Sequence, residues 1–215
     1  LFLEIKQAWN GIPFDVVNDG EVTALAGAMS IGENSLLGVA MGSSEAAGYV
    51  TPEGNITSWL NELAFAPVDY NPGAPVDEWS GDRGVGALYF SQQAVGRLLK
   101  PAAIPFDPAM PLPARLEMVQ ALMKAEDPRA ARIYRTIGVY LGYTIAHYAD
   151  FYPLSHLLIL GRVTSGDGGA LILDAARQVL KAEFPERAAQ ITFHIPDETM
   201  KRHGQAVAAA SLALA

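Results

Sequence analysis

Cysteine is absent from the 215 residues, which excludes a disulfide framework and any thiolate metal site. That absence suits a reducing compartment, and a cytoplasmic protein is expected. Basic residues are few: 15 Lys and Arg stand against 23 Asp and Glu, for a net charge of −8. They are also scattered, so the clustered cations that a nucleic-acid surface needs are missing. Apolar runs of membrane-spanning length are missing too, because Gly, Pro or charge interrupts each candidate. The opening LFLEIKQAWN carries Glu4 and Lys6 inside its apolar repeat, unlike a secretory leader. It has no initiator Met, and Leu1, Ile5 and Trp9 fall on one helical face, so a fragment of a longer chain is expected. The four His residues, His147, His156, His194 and His203, lack ligand spacing and read as structural or surface residues.

The apolar half of the composition is ample for a sizeable core, and its periodicity changes along the chain. FDVVN, Phe14 to Asn18, has the β-branched content of a short buried strand, and a small-residue helix runs from there to about Ile31. SLLGVAMG and AGYVTPEGNIT read as strands, the second turning at Pro52-Glu53-Gly54. Ala66 to Gly84 is an irregular excursion rich in Pro, Asp and Gly. Helical patterns cover Gly84–Leu99, Leu112–Ala125 and Pro128–Tyr152, with Pro101 to Pro113 linking the first two. HLLILG is a continuous apolar strand, GGALILDAARQVLKAEF a helix, ITFHI a strand and MKRHGQAVAAASLALA a terminal helix. Strands alternate with helices at both ends, which predicts an α/β fold: a mixed sheet of about five strands, flanking helices and a helical insert. Phe14–Asn18 and His156–Gly161 are expected to lie adjacent, or nearly so, in that sheet.

Three places can carry chemistry. Asn18 and Asp19 stand at the tip of the first expected strand, where α/β sheets place ligands. A carboxylate there can take a proton from a hydroxyl; equally, the pair can cap the following helix. GSSEAAG, Gly42 to Gly48, is a small-residue loop able to bring backbone N–H groups close to phosphate oxygens. LGRVTSGDGG, Leu160 to Gly169, joins a strand to a helix N-terminus through glycines, a setting for an anion or nucleotide that matches neither the P-loop nor GxGxxG. The aromatics Tyr140, Tyr143, Tyr148, Phe151 and Tyr152 on one long helix suit a core or a subunit contact better than a stacking platform.

In this order the segments resemble the C-terminal lobe of the ROK family, bacterial sugar kinases and sugar-responsive repressors with the ribonuclease H-like, actin-like ATPase fold. The resemblance rests on VVNDGEVTALAGA, then on MGSSEAAGYVTPEGN and NELAFAPV, then on LLILGRV and the small-residue end GQAVAAASLAL. It implies one kinase-like lobe over residues 1–215, with the N-terminal phosphate-loop lobe absent. It further implies ATP-dependent phosphorylation of a sugar hydroxyl, with Mg2+ arriving on the nucleotide. Asp19 would be the catalytic base, Asn18 and Glu62 would hold the sugar, Gly42, Ser43 and Ser44 would approach the phosphates, and Gly161 would lie beside the adenosine. Sugar and ATP would be the partners, without membrane or nucleic acid, and the family's pairing through this lobe makes a homodimer an expectation. Three departures bear on activity. Phe65 stands at the family's His, Ala87 at its second sugar-binding Glu, and Arg162 in its Gly-Gly pair. The Cys-rich zinc segment aligns with DEWSGDRGVGALYFS, so no structural zinc is expected. The alternatives are a non-catalytic sugar-binding regulator and an interaction domain that kept only the fold.

Overall fold

The computed structural model describes residues 1–11, 16–57, 59–196 and 198–212, with the backbone alone described at 198–203 and at 205. The sheet has four strands in the order β2-β1-β3-β4. Strand β1 (Leu36–Met41) pairs antiparallel with β2 (Glu45–Val50) and parallel with β3 (His156–Leu160), which pairs parallel with β4 (Thr192–His194). Both faces of the sheet are covered, which is why β1 and β3 read as unbroken apolar runs. Alternation still operates within them. Leu37, Val39, Met41, Leu157 and Ile159 enter the larger core, built with α3 (Gln92–Leu98), α4 (Leu112–Lys124), α5 (Pro128–Tyr148) and α6 (Asp167–Glu183). Leu36 and Leu158 enter a smaller core under α2 (Asp19–Ile31) and α8 (Glu198–Leu212). The other helices are α1 (Phe2–Ala8), which buries no residue, and α7 (Pro185–Gln190), which periodicity does not reveal.

Helix α2 lies unusually close to β2. A side-chain carbon built on Gly48 would overlap the Gly20 carbonyl and come within 2.6 Å of the Glu21 nitrogen, and backbone cannot yield as a side-chain tip can. Gly48→Ala is therefore expected to destabilise the protein by about 3 kcal/mol or more, read as a fall in the thermal midpoint. An unchanged midpoint would show that α2 can retreat from the sheet at little cost.

The first expected strand lies partly outside the described residues, and its described part is not a strand. Phe14 and Asp15 lie outside the described residues, while Val16 to Asn18 are neither paired nor helical. Val16 and Val17 are 62% and 38% exposed. Branched side chains favour a pleated backbone, but a strand also needs a neighbour's N–H and C=O groups, and none among the described residues reaches this segment. Among the described residues the sheet has four strands, where about five were expected, and β3 lies beside β1. The expected helix Gly84–Leu99 also breaks: a 3-10 turn covers Gly86–Leu88, and Ser91 then caps α3 by accepting the Gln93 N–H at 3.0 Å. Helix α5 stops at Tyr148, short of Tyr152. Its aromatics divide: Tyr148 and Tyr152 are buried, Tyr140 packs on Tyr89 with ring centres 4.6 Å apart, and Tyr143 and Phe151 are exposed. His156 and His194 approach across β3 and β4, Nδ1 to Nε2 at 3.0 Å, while the His203 side chain lies outside the described residues. Among the described residues no helix is long and apolar enough to cross a membrane, and no three His, Asp or Glu side chains gather as metal ligands.

Candidate functional site

At the tip of β1 the chain turns through Gly42, Ser43 and Ser44 into β2, closed by the Gly42 N–H donating to the Ser44 carbonyl at 2.9 Å. At the tip of β3 the chain leaves through Gly161, at φ +99°, where a Cβ would come within 2.5 Å of the Met41 carbonyl. Only glycine tolerates both that backbone angle and that proximity. The parallel register, Ala40 opposite Leu160, thus sets the two loops side by side at the carboxyl edge of the sheet.

The N-terminus of α2 faces the same edge. Asn18 is the N-cap, its Oδ1 accepting the Gly20 N–H at 2.8 Å. Asp19 is the first helical residue, its carboxylate accepting the same N–H at 2.9 Å, and its carbonyl accepts the Thr23 hydroxyl at 2.7 Å. The cap therefore belongs to Asn18, and Asp19 projects exposed into the cleft where the helix dipole favours an anion.

A cavity of about 390 Å³ brings these pieces together: Asn18 and Asp19 from α2, Gly42 to Ala47 from the β1–β2 corner, and Asn61 with Glu62 from the loop beyond β2. No Lys or Arg among the described residues lines it. Glu62 is exposed and opens the 3-10 turn Leu63–Phe65. Of the residues marked in the sequence, only Gly161 is not in this wall.

Two lining residues carried no sequence signal strong enough to mark them. Glu45 is 5% exposed, and neither carboxylate oxygen has a hydrogen-bond partner among the described residues. Burial alone pushes its carboxyl up to about 8, so at neutral pH it is chiefly a neutral acid. Asn61, 8% exposed, donates to the Glu21 carboxylate and to Thr57 Oγ1 at 3.0 Å, and accepts from the Tyr152 hydroxyl at 2.8 Å. Burial also raises Glu21, while its bond from Asn61 lowers it. The available hints were a single acid among small residues in SSEAAG and the Asn-Glu pair inside WLNELAF.

Beyond Gly161 a second cavity, of about 230 Å³, lies against the N-terminus of α6. Gln120, Met123 and Lys124 of α4, Tyr134 of α5 and Ser165 to Gly168 line it. Two hydrogen bonds hold its edge to the turn after β3: Thr164 Oγ1 donates to the Gly161 carbonyl at 3.0 Å, and Gln120 Nε2 to the Arg162 carbonyl at 2.9 Å. The Tyr134 hydroxyl, buried at this cavity, has no partner among the described residues, and burial holds it up to about 12. Arg162 is exposed and lines neither cavity. Phe65 stacks on Trp79 with ring centres 5.2 Å apart, and Ala87 is buried, so neither side chain offers a polar contact.

No protein-family profile and no curated protein matches this sequence. Solved structures do. A ROK hexokinase from Thermus thermophilus superposes with a TM-score of 0.72 at 19% identity, over 98% of this chain and 70% of that one. A ROK-family transcriptional regulator, a homolog of the E. coli MLC protein, gives 0.76 at 19% identity, over 98% of this chain and 55% of that one. A ROK-family glucokinase from Streptomyces griseus, solved with glucose and AMPPNP, gives 0.71 at 19% identity over 97% of this chain and 70% of that one. This chain has the α/β, actin-like ATPase fold of the ROK C-terminal lobe, and at such identity the likeness speaks of fold.

Proposed function

We propose that this chain is the sugar-binding and nucleotide-binding lobe of a ROK-type kinase, supplying the base for phosphoryl transfer to a sugar hydroxyl. The observation that carries the reading is the cavity shared by Asn18, Asp19, Glu62 and the Gly42–Ser44 loop. Sequence separations of up to 44 residues collapse there onto one edge of the sheet. Asp19 takes the proton from the attacking hydroxyl, and Asn18 and Glu62 hold the neighbouring hydroxyls. Gly42, Ser43 and Ser44 face the phosphates, and the nucleotide extends past Gly161 toward the second cavity, whose apolar Met123 and polar Gln120 suit a nucleobase. Mg2+ bound with the nucleotide would supply neutralisation of the phosphate charge. The described wall of the first cavity holds acids and small residues and no Lys or Arg, so that neutralisation would come from the metal and from groups outside this lobe.

A second reading, a sugar-binding regulator without turnover, is favoured by specific residues. Phe65 is engaged in an aromatic stack and Ala87 is apolar, where the resemblance expects polar sugar contacts. The test is a panel of hexoses, hexosamines and polyols offered to the full-length protein, with binding followed by calorimetry and ATP consumption by a coupled assay. Binding with turnover is the expected result. Binding without turnover selects the regulator, and the absence of any binding removes both readings.

A further inference from the structure

Asn61 is a buried amide flanked by two exposed residues, Leu60 and Glu62, so packing the chain here requires a reason to hold that side chain inside. Its hydrogen bonds supply one. The side-chain nitrogen donates to Glu21 and to Thr57, and the side-chain oxygen accepts from Tyr152. An amide offers two N–H groups and one carbonyl, so both ends are committed to the protein. The orientation is forced as well, because reversing the amide would set its oxygen against the Glu21 carboxylate.

Each partner belongs to a different rigid piece. Glu21 is 4% exposed and lies two residues beyond Asp19 on α2, so anchoring one fixes the other. Tyr152 follows α5 and packs on Tyr49 of β2, with ring centres 5.0 Å apart, while the Tyr49 hydroxyl donates to the Pro153 carbonyl at 2.8 Å. Asn61 itself is covalently next to Glu62, and its carbonyl accepts the Leu63 N–H at 2.9 Å, which starts the turn that Glu62 opens. Asp19 and Glu62 both line the cavity, on segments joined along the chain only through β1 and β2.

We propose that Asn61 is a positioning residue, and that the buried Glu21–Asn61–Tyr152 chain sets the span between Asp19 and Glu62 and so selects which sugar hydroxyl meets Asp19. The proposal rests on the sugar-site reading above. Asn61 acts through its neighbours, its own polar atoms being used within the protein. A shift of about 1 Å in such a span is enough to cost on the order of 10²-fold in a productive complex.

The test uses the full-length protein and the best-bound sugar of the panel. Asn61→Asp sets a carboxylate against Glu21 and is expected to weaken sugar binding by about tenfold or more while leaving nucleotide affinity unchanged. Glu21→Gln alone retains an acceptor for the Asn61 amide and should stay within about threefold. Combining the two restores a donor–acceptor pair with its polarity reversed and should recover most of the lost sugar affinity. If Asn61→Asp fails to fold, Tyr152→Phe removes only the hydroxyl, and a loss of about threefold, confined to the sugar, is expected. Sugar affinity within twofold of wild type in Asn61→Asp, or in Tyr152→Phe where Asn61→Asp does not fold, overturns the proposal, as does equal weakening of sugar and nucleotide. A wild-type protein that binds no sugar overturns the sugar-site reading itself, a result distinct from sugar binding that ignores Asn61.

Discussion

Replacing Asp19 by asparagine in the full-length protein leaves sugar affinity within a few-fold of wild type and lowers turnover by about 10²–10⁴-fold, the range for losing a positioned general base. The structure makes this a clean substitution. Asn18, not Asp19, caps α2, so the helix keeps its 2.8 Å cap bond when Asp19 changes. Asparagine preserves the shape of the side chain and its ability to accept the Gly20 N–H, now at 2.9 Å. What it removes is the capacity to accept a proton. A side chain serving only local structure would lose almost nothing, because asparagine is well tolerated at helix starts. Steady-state ATP consumption with the best-bound sugar decides the matter, with calorimetry run alongside. Undiminished turnover refutes the catalytic role of Asp19. Intact binding beside a wild type that never turns over points instead to the regulator.

A second large effect is expected from Glu45 and needs no substrate to detect. Its carboxyl, raised by burial from 4.5 to about 8, holds a proton in the folded state that the unfolded chain releases. Between those two values the folded protein binds more protons than the unfolded one, so its stability falls as pH rises and levels off above about 8. At about 1.4 kcal/mol for each tenfold change in proton affinity, the total loss is on the order of 5 kcal/mol. Glu45→Gln, neutral at every pH, should remove that loss, and the variant should be the more stable protein at pH 8. Burial is the cause of that rise, and no Lys or Arg among the described residues lines the cavity to offset it. His194, lowered from 6.5 chiefly by burial and then by His156, contributes in the opposite sense, since its share of stability rises with pH. Subtracting the variant's curve from the wild-type curve isolates Glu45. Urea denaturation from pH 5 to 9 gives both, and parallel curves would mean that Glu45 ionises in the folded protein as readily as in the unfolded chain.

The sequence by itself determined the elements whose signals are local. Leu36–Met41 and His156–Leu160 are unbroken apolar runs that only a doubly covered strand can use, and both are strands. Leu112–Lys124 and Asp167–Glu183 carry helical periodicity and are helices near their expected bounds. Asn18 or Asp19 reads as a cap because a side-chain oxygen can reach a nearby helix N–H, and the structure gives that role to Asn18. Tertiary structure decided everything that depends on a distant partner. Val16 and Val17 have the composition of a strand but no neighbouring backbone among the described residues, so composition misled there. His156 and His194, 38 residues apart, meet only because β3 and β4 pair in parallel. Glu45 became a neutral acid, and Asn61 the link between Glu21 and Tyr152, through burial that no spacing in the chain announces. Hydrogen bonds and desolvation act over a few ångströms in space, whereas periodicity reports only on residues within a few turns of chain. Asp19 and Glu62 could therefore be marked one at a time from sequence, but the cavity they share came from folding.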